Sequence, residues 1–147
     1  MLLVRTHVAP SPIHGLGLFA SEAIPRGTPI WRFHEGFDHA YTRAEFAELP
    51  APAREHLRWF SYFDAALDAL IKSGDLSCFM NHADAPNTGA GPAWSEPVVT
   101  VALRDVAVGE ELTCDYHAFD GDVAWKFGRV PAEAQLGARH PTEALEG

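Results

Sequence analysis

The first 33 residues of the chain are interrupted so often that no long helix can form in them. Pro10, Pro12, Pro25 and Pro29 alternate with Gly15, Gly17 and Gly27 over residues 1–33. Each proline fixes φ and removes a backbone donor, and each glycine weakens a regular element that it interrupts. What remains is a series of short apolar pieces, which suit brief strands joined by turns. "TPIWRFH" reads as one such strand from its aromatic and branched side chains.

The pattern changes after residue 40. Thr42 followed by Glu45 has the form of a capping box, with Phe46 and Leu49 on one face until Pro50 ends the run. Leu57, Phe60 and Phe63 then recur at helical spacing, which predicts a second helix after Pro52. Residues 41–64 thus read as a small helical insert in a mainly β protein. In "SEPVVTVALRDVAVGEELTCDY" the alternation predicts strands over Val98–Leu103 and Glu111–Asp115, joined at Val108-Gly109 as part of a β meander. Residues 1–130 read as a single domain and residues 131–147 as a tail, partly disordered.

Composition limits what such a domain can do. A chain of 147 residues is long enough to bury about two-thirds of its unfolded surface without staples. Its two cysteines, Cys78 and Cys114, can form at most one bridge and are expected to be reduced thiols. A net charge of −9 with 11 scattered Lys and Arg argues against nucleic-acid binding and favours a cationic partner. No apolar run approaches the roughly 18 residues of a spanning helix, and "MLLVRTHVAPS" lacks the basic start and apolar length of a secretion signal. The expectation is an intracellular protein, cytoplasmic or nuclear, with no membrane contact.

Four stretches could carry chemistry. "HGLGLFA" fits the dinucleotide fingerprint by letter, but two prolines precede it and Pro25 follows too soon for a helix, so its context fails. Its glycines suit a tight turn or a close approach of backbone to a ligand or neighbouring strand. The histidine pairs His34/His39 and His7/His14 have no metal-ligand spacing, and no metal is expected. Asn81 and His82 in "FMNHADAPN" offer donors and acceptors that suit either a backbone-capping turn or one half of a cofactor pocket. Tyr116, closing "GEELTCDY", is either an anchor or a positioned hydroxyl.

In the order "HGLGLFASEAIPRGTPI", "FMNHADAPN", "ALRDVAVGEELTCDY", these segments resemble the SET domain of protein-lysine methyltransferases over roughly residues 5–117. The resemblance implies a β-clip fold of short curved sheets, with a knot-like threaded C-terminal segment, and S-adenosylmethionine as cofactor. It implies that backbone around His14, Gly15, Leu16 and Gly17 holds the methionine end, that Asn81 and His82 with Phe79 hold the adenosine end, and that Tyr116 is the catalytic tyrosine. The implied reaction is methyl transfer to the side-chain amine of a lysine in a protein substrate, histone-like or otherwise basic. The alternative is a non-catalytic module of the same fold that binds a protein partner.

The chain also departs from that pattern. Cys114 stands where relatives carry Phe or Tyr, Ala83 where serine is common, and Cys78 where arginine is frequent. The smaller Cys114 implies a roomier substrate pocket, with Tyr62 or Phe119 as the rings that could fill the gap. No cysteine follows Cys114 in this sequence, so a zinc module like that of many relatives is not expected, and Trp125, with Tyr62 as a weaker candidate, is the residue expected to cover the cofactor. A short form of this kind is compatible with a homodimer.

Overall fold

The computed structural model describes residues 1–91 and 99–121. Its strands, in chain order, are β1 (Thr6–Pro10), β2 (Leu16–Ala20), β3 (Pro29–Arg32), β4 (His39–Thr42), β5 (Ser61–Asp64), β6 (Ala69–Lys72), β7 (Asn81–His82), β8 (Thr88–Ala90), β9 (Val99–Ala102) and β10 (Glu111–Cys114). Helices α1 (Arg43–Glu48) and α2 (Ala51–Phe60) lie between β4 and β5, and α3 (Tyr116–Phe119) follows β10. The strands form three small sheets, ordered β1-β2-β10-β7, β3-β9-β8 and β4-β6-β5. The mainly β reading with a small helical insert describes this architecture.

The first sheet carries the core. β1 and β2 form an antiparallel hairpin with Val8 opposite Leu18, and β10 lies antiparallel on the other side of β2. Side chains alternate across a strand, so Leu18 and Ala20 of β2 point to one face with Leu112 and Cys114 of β10. These four, with Ile24, Ile30, Met80, Ala102 and Val106, form the buried cluster. β10 then pairs in parallel with β7, placing Thr113 opposite Asn81 and Cys114 opposite His82.

The other side of β10 is buried as well, by polar means. Asn87 is 2% exposed, and its side chain treats β10 as a strand would. Its Nδ2 donates to Glu111 O at 2.7 Å, and its Oδ1 accepts from Thr113 N at 2.8 Å. Beside it the Thr88 hydroxyl donates to Thr113 O at 2.8 Å. Pro-Asn is a pair typical of turns, but here Asn87 is an internal clamp that ties the start of β8 to β10.

The capping box forms as expected, with Glu45 N donating to the Thr42 hydroxyl and Thr42 N to the Glu45 carboxylate. The second helix is shorter than its spacing implied. It stops at Phe60, the Ser61 hydroxyl donates to Leu57 O, and Phe63 lies in β5 opposite Leu70. Pairing with β6 outweighs the helical periodicity there.

The β meander is corrected. β9 pairs with β3 and β8, whereas β10 pairs with β2 and β7. The reason lies in the connection: Ile24 and Val106 exchange two backbone hydrogen bonds of 2.9 Å, and Gly109, at φ +80°, donates to Ala20 O. Those bonds hand β10 to the first sheet before it can fold back on β9.

The Asn87 clamp has a measurable stability. Asn87→Ala strands backbone groups of β10 in a buried position, and each such loss costs about 1–3 kcal/mol. Urea unfolding should show a loss of about 3 kcal/mol. A loss under about 0.5 kcal/mol, the range of ordinary surface changes, would show that the clamp is dispensable.

Candidate functional site

Three distant segments meet at the edge where β7 lies on β10. The residue 11–15 loop is closed by Ser11 N donating to Gly15 O at 2.9 Å, and Gly15 takes φ +49°, in the left-handed region that favours glycine. Asn81, at the start of β7, reaches this loop with its side-chain nitrogen. Nδ2 lies 3.1 Å from both His14 O and Leu16 O, and 2.8 Å from Glu111 Oε1. Asn81 thus binds backbone, as the capping reading expects, but backbone more than sixty residues away rather than in its own turn.

His82 links this corner to Tyr116. Its Nδ1 accepts from Tyr116 N at 3.2 Å, while Nε2 lies 3.3 Å from Asp84 Oδ1. A neutral ring with the proton on Nε2 satisfies both contacts. The Tyr116 hydroxyl donates to Met80 O at 2.6 Å, one residue before Asn81. Asp115 caps the short α3 by accepting from His117 N at 3.0 Å, which fixes the backbone on which Tyr116 is carried.

An aromatic row extends from the tyrosine. Phe119 meets Tyr116 edge-on at 6.1 Å, Tyr62 meets Phe119 at 5.2 Å, and Trp31 meets Tyr62 at 6.3 Å. Tyr62 and Phe119 thus stand in the Tyr116 neighbourhood. Cys114 is buried in the core cluster, with its Sγ 3.9 Å from Asn81 O. Phe79 packs partly on that cluster and against Phe60 at 6.0 Å. Trp125 lies outside the described residues.

Both site phenols are held neutral. Burial pushes the Tyr116 phenol well above its usual value, and the negative charges of Cys114, Asp120 and Cys78, when ionised, add to this. Tyr62 is raised likewise, by burial first and then by Asp64, Asp38 and Asp120.

Sequence reading missed two members of the corner. The Ser11 hydroxyl sits 2.9 Å from each oxygen of Glu111. Gly17 makes room for that carboxylate, since a Cβ there would fall on Glu111 and lie 3.0 Å from Ser11 Cβ. Its glycine is explained by a close approach of a side chain. Only the register that puts Glu111 opposite Phe19 reveals this.

The corner sets an exposed loop beside a hydrogen-bonded carboxylate. The loop at His14, Gly15 and Leu16 is exposed, and a Cβ on Gly15 would meet nothing within 4 Å. Among the described residues Glu111 has no cationic partner. No group of three or more His, Cys, Asp or Glu among the described residues is placed to hold a metal, and no helix there is long and apolar enough to cross a membrane.

Fold and site together define a small β protein with a polar corner assembled from three chain segments around one half-buried phenol. The SET domain family model matches residues 15–117, and the chain belongs to that family. A histone-lysine N-methyltransferase of Schizosaccharomyces pombe, H3 lysine-4 specific, is 32% identical over 129 residues, which cover 76% of this chain and 13% of that protein. The chain thus spans a small part of its curated relative. A putative histone methyltransferase of Plasmodium falciparum shares the fold at TM-score 0.54 and 16% identity, over 78% of this chain and 95% of its own. A chain of Polycomb Repressive Complex 2 from Chaetomium thermophilum, autoinhibited and bound to S-adenosylmethionine, does so at TM-score 0.58 and 19% identity, over 86% of this chain and 17% of its own.

The raised phenols set an alkaline limit on stability. In the unfolded chain they lose protons from about pH 10, while the folded ones keep them. Their contribution is therefore full below that pH and is lost as pH rises toward the folded values. Tyrosinate absorbance of Tyr62 and Tyr116 should appear together with unfolding. Early ionisation of both in the folded protein would contradict the burial argument.

Proposed function

We propose that this chain transfers a methyl group from S-adenosylmethionine to the side-chain amine of a lysine in a basic protein segment, such as a histone-like tail. The observation that carries the reading is the convergence of the residue 14–17 loop, Asn81-His82 and Tyr116 on one corner. Loop backbone, the Asn81 carboxamide and the segment at His82 would hold the cofactor, whose sulfonium supplies an electrophilic methyl group. The bound S-adenosylmethionine of the Chaetomium complex and the histone-lysine names of the relatives support this assignment. The acidic balance of the chain, −9 overall, suits a cationic substrate.

Tyr116 does its work as a neutral phenol. Its proton is committed to Met80 O, which leaves an oxygen lone pair to accept an N–H of the incoming amine and turn the nitrogen lone pair toward the methyl carbon. A phenol with so high a pKa is a poor base, so the lysine must lose its proton to water. Lysine is ordinarily charged below about pH 10.4, and loss of water against Tyr116, Phe119 and Tyr62 disfavours the ammonium form. Near-attack positioning can supply roughly 7–11 kcal/mol of the barrier reduction.

Cys114 belongs to the core cluster but borders this corner through its Sγ, 3.9 Å from Asn81 O, and a thiol there in place of a ring would leave room for more than one methyl group. Mass spectrometry of the product should therefore show higher methylation states that Cys114→Phe reduces. Monomethyl product alone from both proteins would count against that space.

The decisive experiment combines calorimetry with S-adenosylmethionine and labelled-methyl transfer to basic proteins. Tyr116→Phe should lower kcat by at least about 100-fold while the cofactor Kd stays within about threefold, because the hydroxyl acts on the amine. Unimpaired transfer by this variant would overturn the assignment. Cofactor binding by the wild type without transfer to any basic protein would support the non-catalytic module instead.

A further inference from the structure

We infer that Glu111 is a positioning residue for the α-amino end of the cofactor, acting through Asn81. The inference rests on the reading that this corner takes S-adenosylmethionine, and adds a residue and a mechanism to it. Because the Asn81 carboxamide is bonded to the residue 14–16 loop, it moves that side chain from the adenosine end, where the sequence resemblance put it, to the methionine end.

A carboxamide can sit in either of two flipped orientations, and its neighbours decide which. Around Asn81 Nδ2 stand three groups that can only accept: His14 O, Leu16 O and Glu111 Oε1. Flipping the amide would set its oxygen against all three. Nδ2 therefore stays turned to the loop, and Oδ1 is held facing away from it. That oxygen has no hydrogen-bond partner among the described residues. No buried side-chain oxygen or nitrogen there lacks a partner, so Oδ1 reaches solvent. A fixed, solvent-accessible acceptor beside an exposed loop is matched by a ligand ammonium, a donor with no acceptor capacity.

Glu111 is the member of the three that a mutation can remove. Its carboxylate is itself held in place. Ser11 donates to both of its oxygens, and Gly17 leaves the volume in which it sits. The acid's role is thus geometric: it fixes the amide through hydrogen bonding and is fixed by the same loop that it organises.

The test compares two ligands that differ at one group, S-adenosylhomocysteine and its analogue with hydrogen in place of the α-amino group. Both carry neutral sulfur, so calorimetry on the full chain isolates the amine. Wild type should prefer the amine-bearing ligand by at least about tenfold, about 1.4 kcal/mol. Glu111→Ala should weaken S-adenosylhomocysteine about tenfold and the analogue less than twofold, so that the preference collapses. Gly17→Ala, whose Cβ would displace the carboxylate, should lose the preference by a second route. Glu111→Gln keeps an acceptor oxygen and should retain affinity within about threefold. Equal weakening of both ligands, an unchanged preference, or Gln as harmful as Ala would overturn the inference while leaving the cofactor reading intact. Failure of the wild type to bind either ligand would remove both.

Discussion

The parallel pairing of β7 with β10 is the constraint on which the rest depends. Parallel neighbours cannot be joined by a tight turn, and the chain must travel out and back between them. Here residues 83–110 make that journey, and β8 and β9 within them build most of the second sheet. The pairing sets His82 beside Cys114, two residues before Tyr116. Shifting it by one residue would turn Leu112 and Cys114 away from the core, so burial fixes the geometry of the polar corner.

Polar groups complete what burial begins. A two-residue strand such as β7 cannot hold itself in register, and its support comes from side chains that imitate backbone. Asn87 bonds the Glu111 carbonyl and the Thr113 amide, Thr88 bonds the Thr113 carbonyl, and the Tyr116 hydroxyl bonds the Met80 carbonyl. In a low-dielectric interior such bonds are strong when made and costly when broken. Asp38 shows the same balance elsewhere: burial raises its carboxyl, but hydrogen bonds from the amino terminus and the backbone of Gly74 and His34 hold it below its ordinary value.

What was legible in the sequence was local. Proline and glycine spacing announced short strands, and Thr42 with Glu45 announced a cap, because each effect acts within a few residues. The segments around 15, 81 and 116 were legible as a set through their order along the chain. Partnerships across long separations were not. Nothing in Glu111 distinguishes it from Glu110 until the register shows one carboxylate beside Gly17 and the other 2.5 Å from Arg104 Nη2. Phe63 failed for a related reason, since its helical spacing was real but β6 offered it a better partner. Asn87 carried the letter of a turn residue and the burial of a core one.

The charge balance of the proposed reaction explains why such a corner relies on geometry. A positive charge passes from sulfur to nitrogen, and none is created or destroyed. The fixed negative charges nearby, Glu111, Asp84 and Asp115 among them, attract reactants and transition state alike, which strengthens binding without lowering the barrier between them. The rate must then come from orientation: a lone pair aimed, a methyl group held in line, water kept off the nitrogen. That is the work for which a neutral phenol tied to a carbonyl and an amide locked by three acceptors are suited, since neither changes charge as the bond is made.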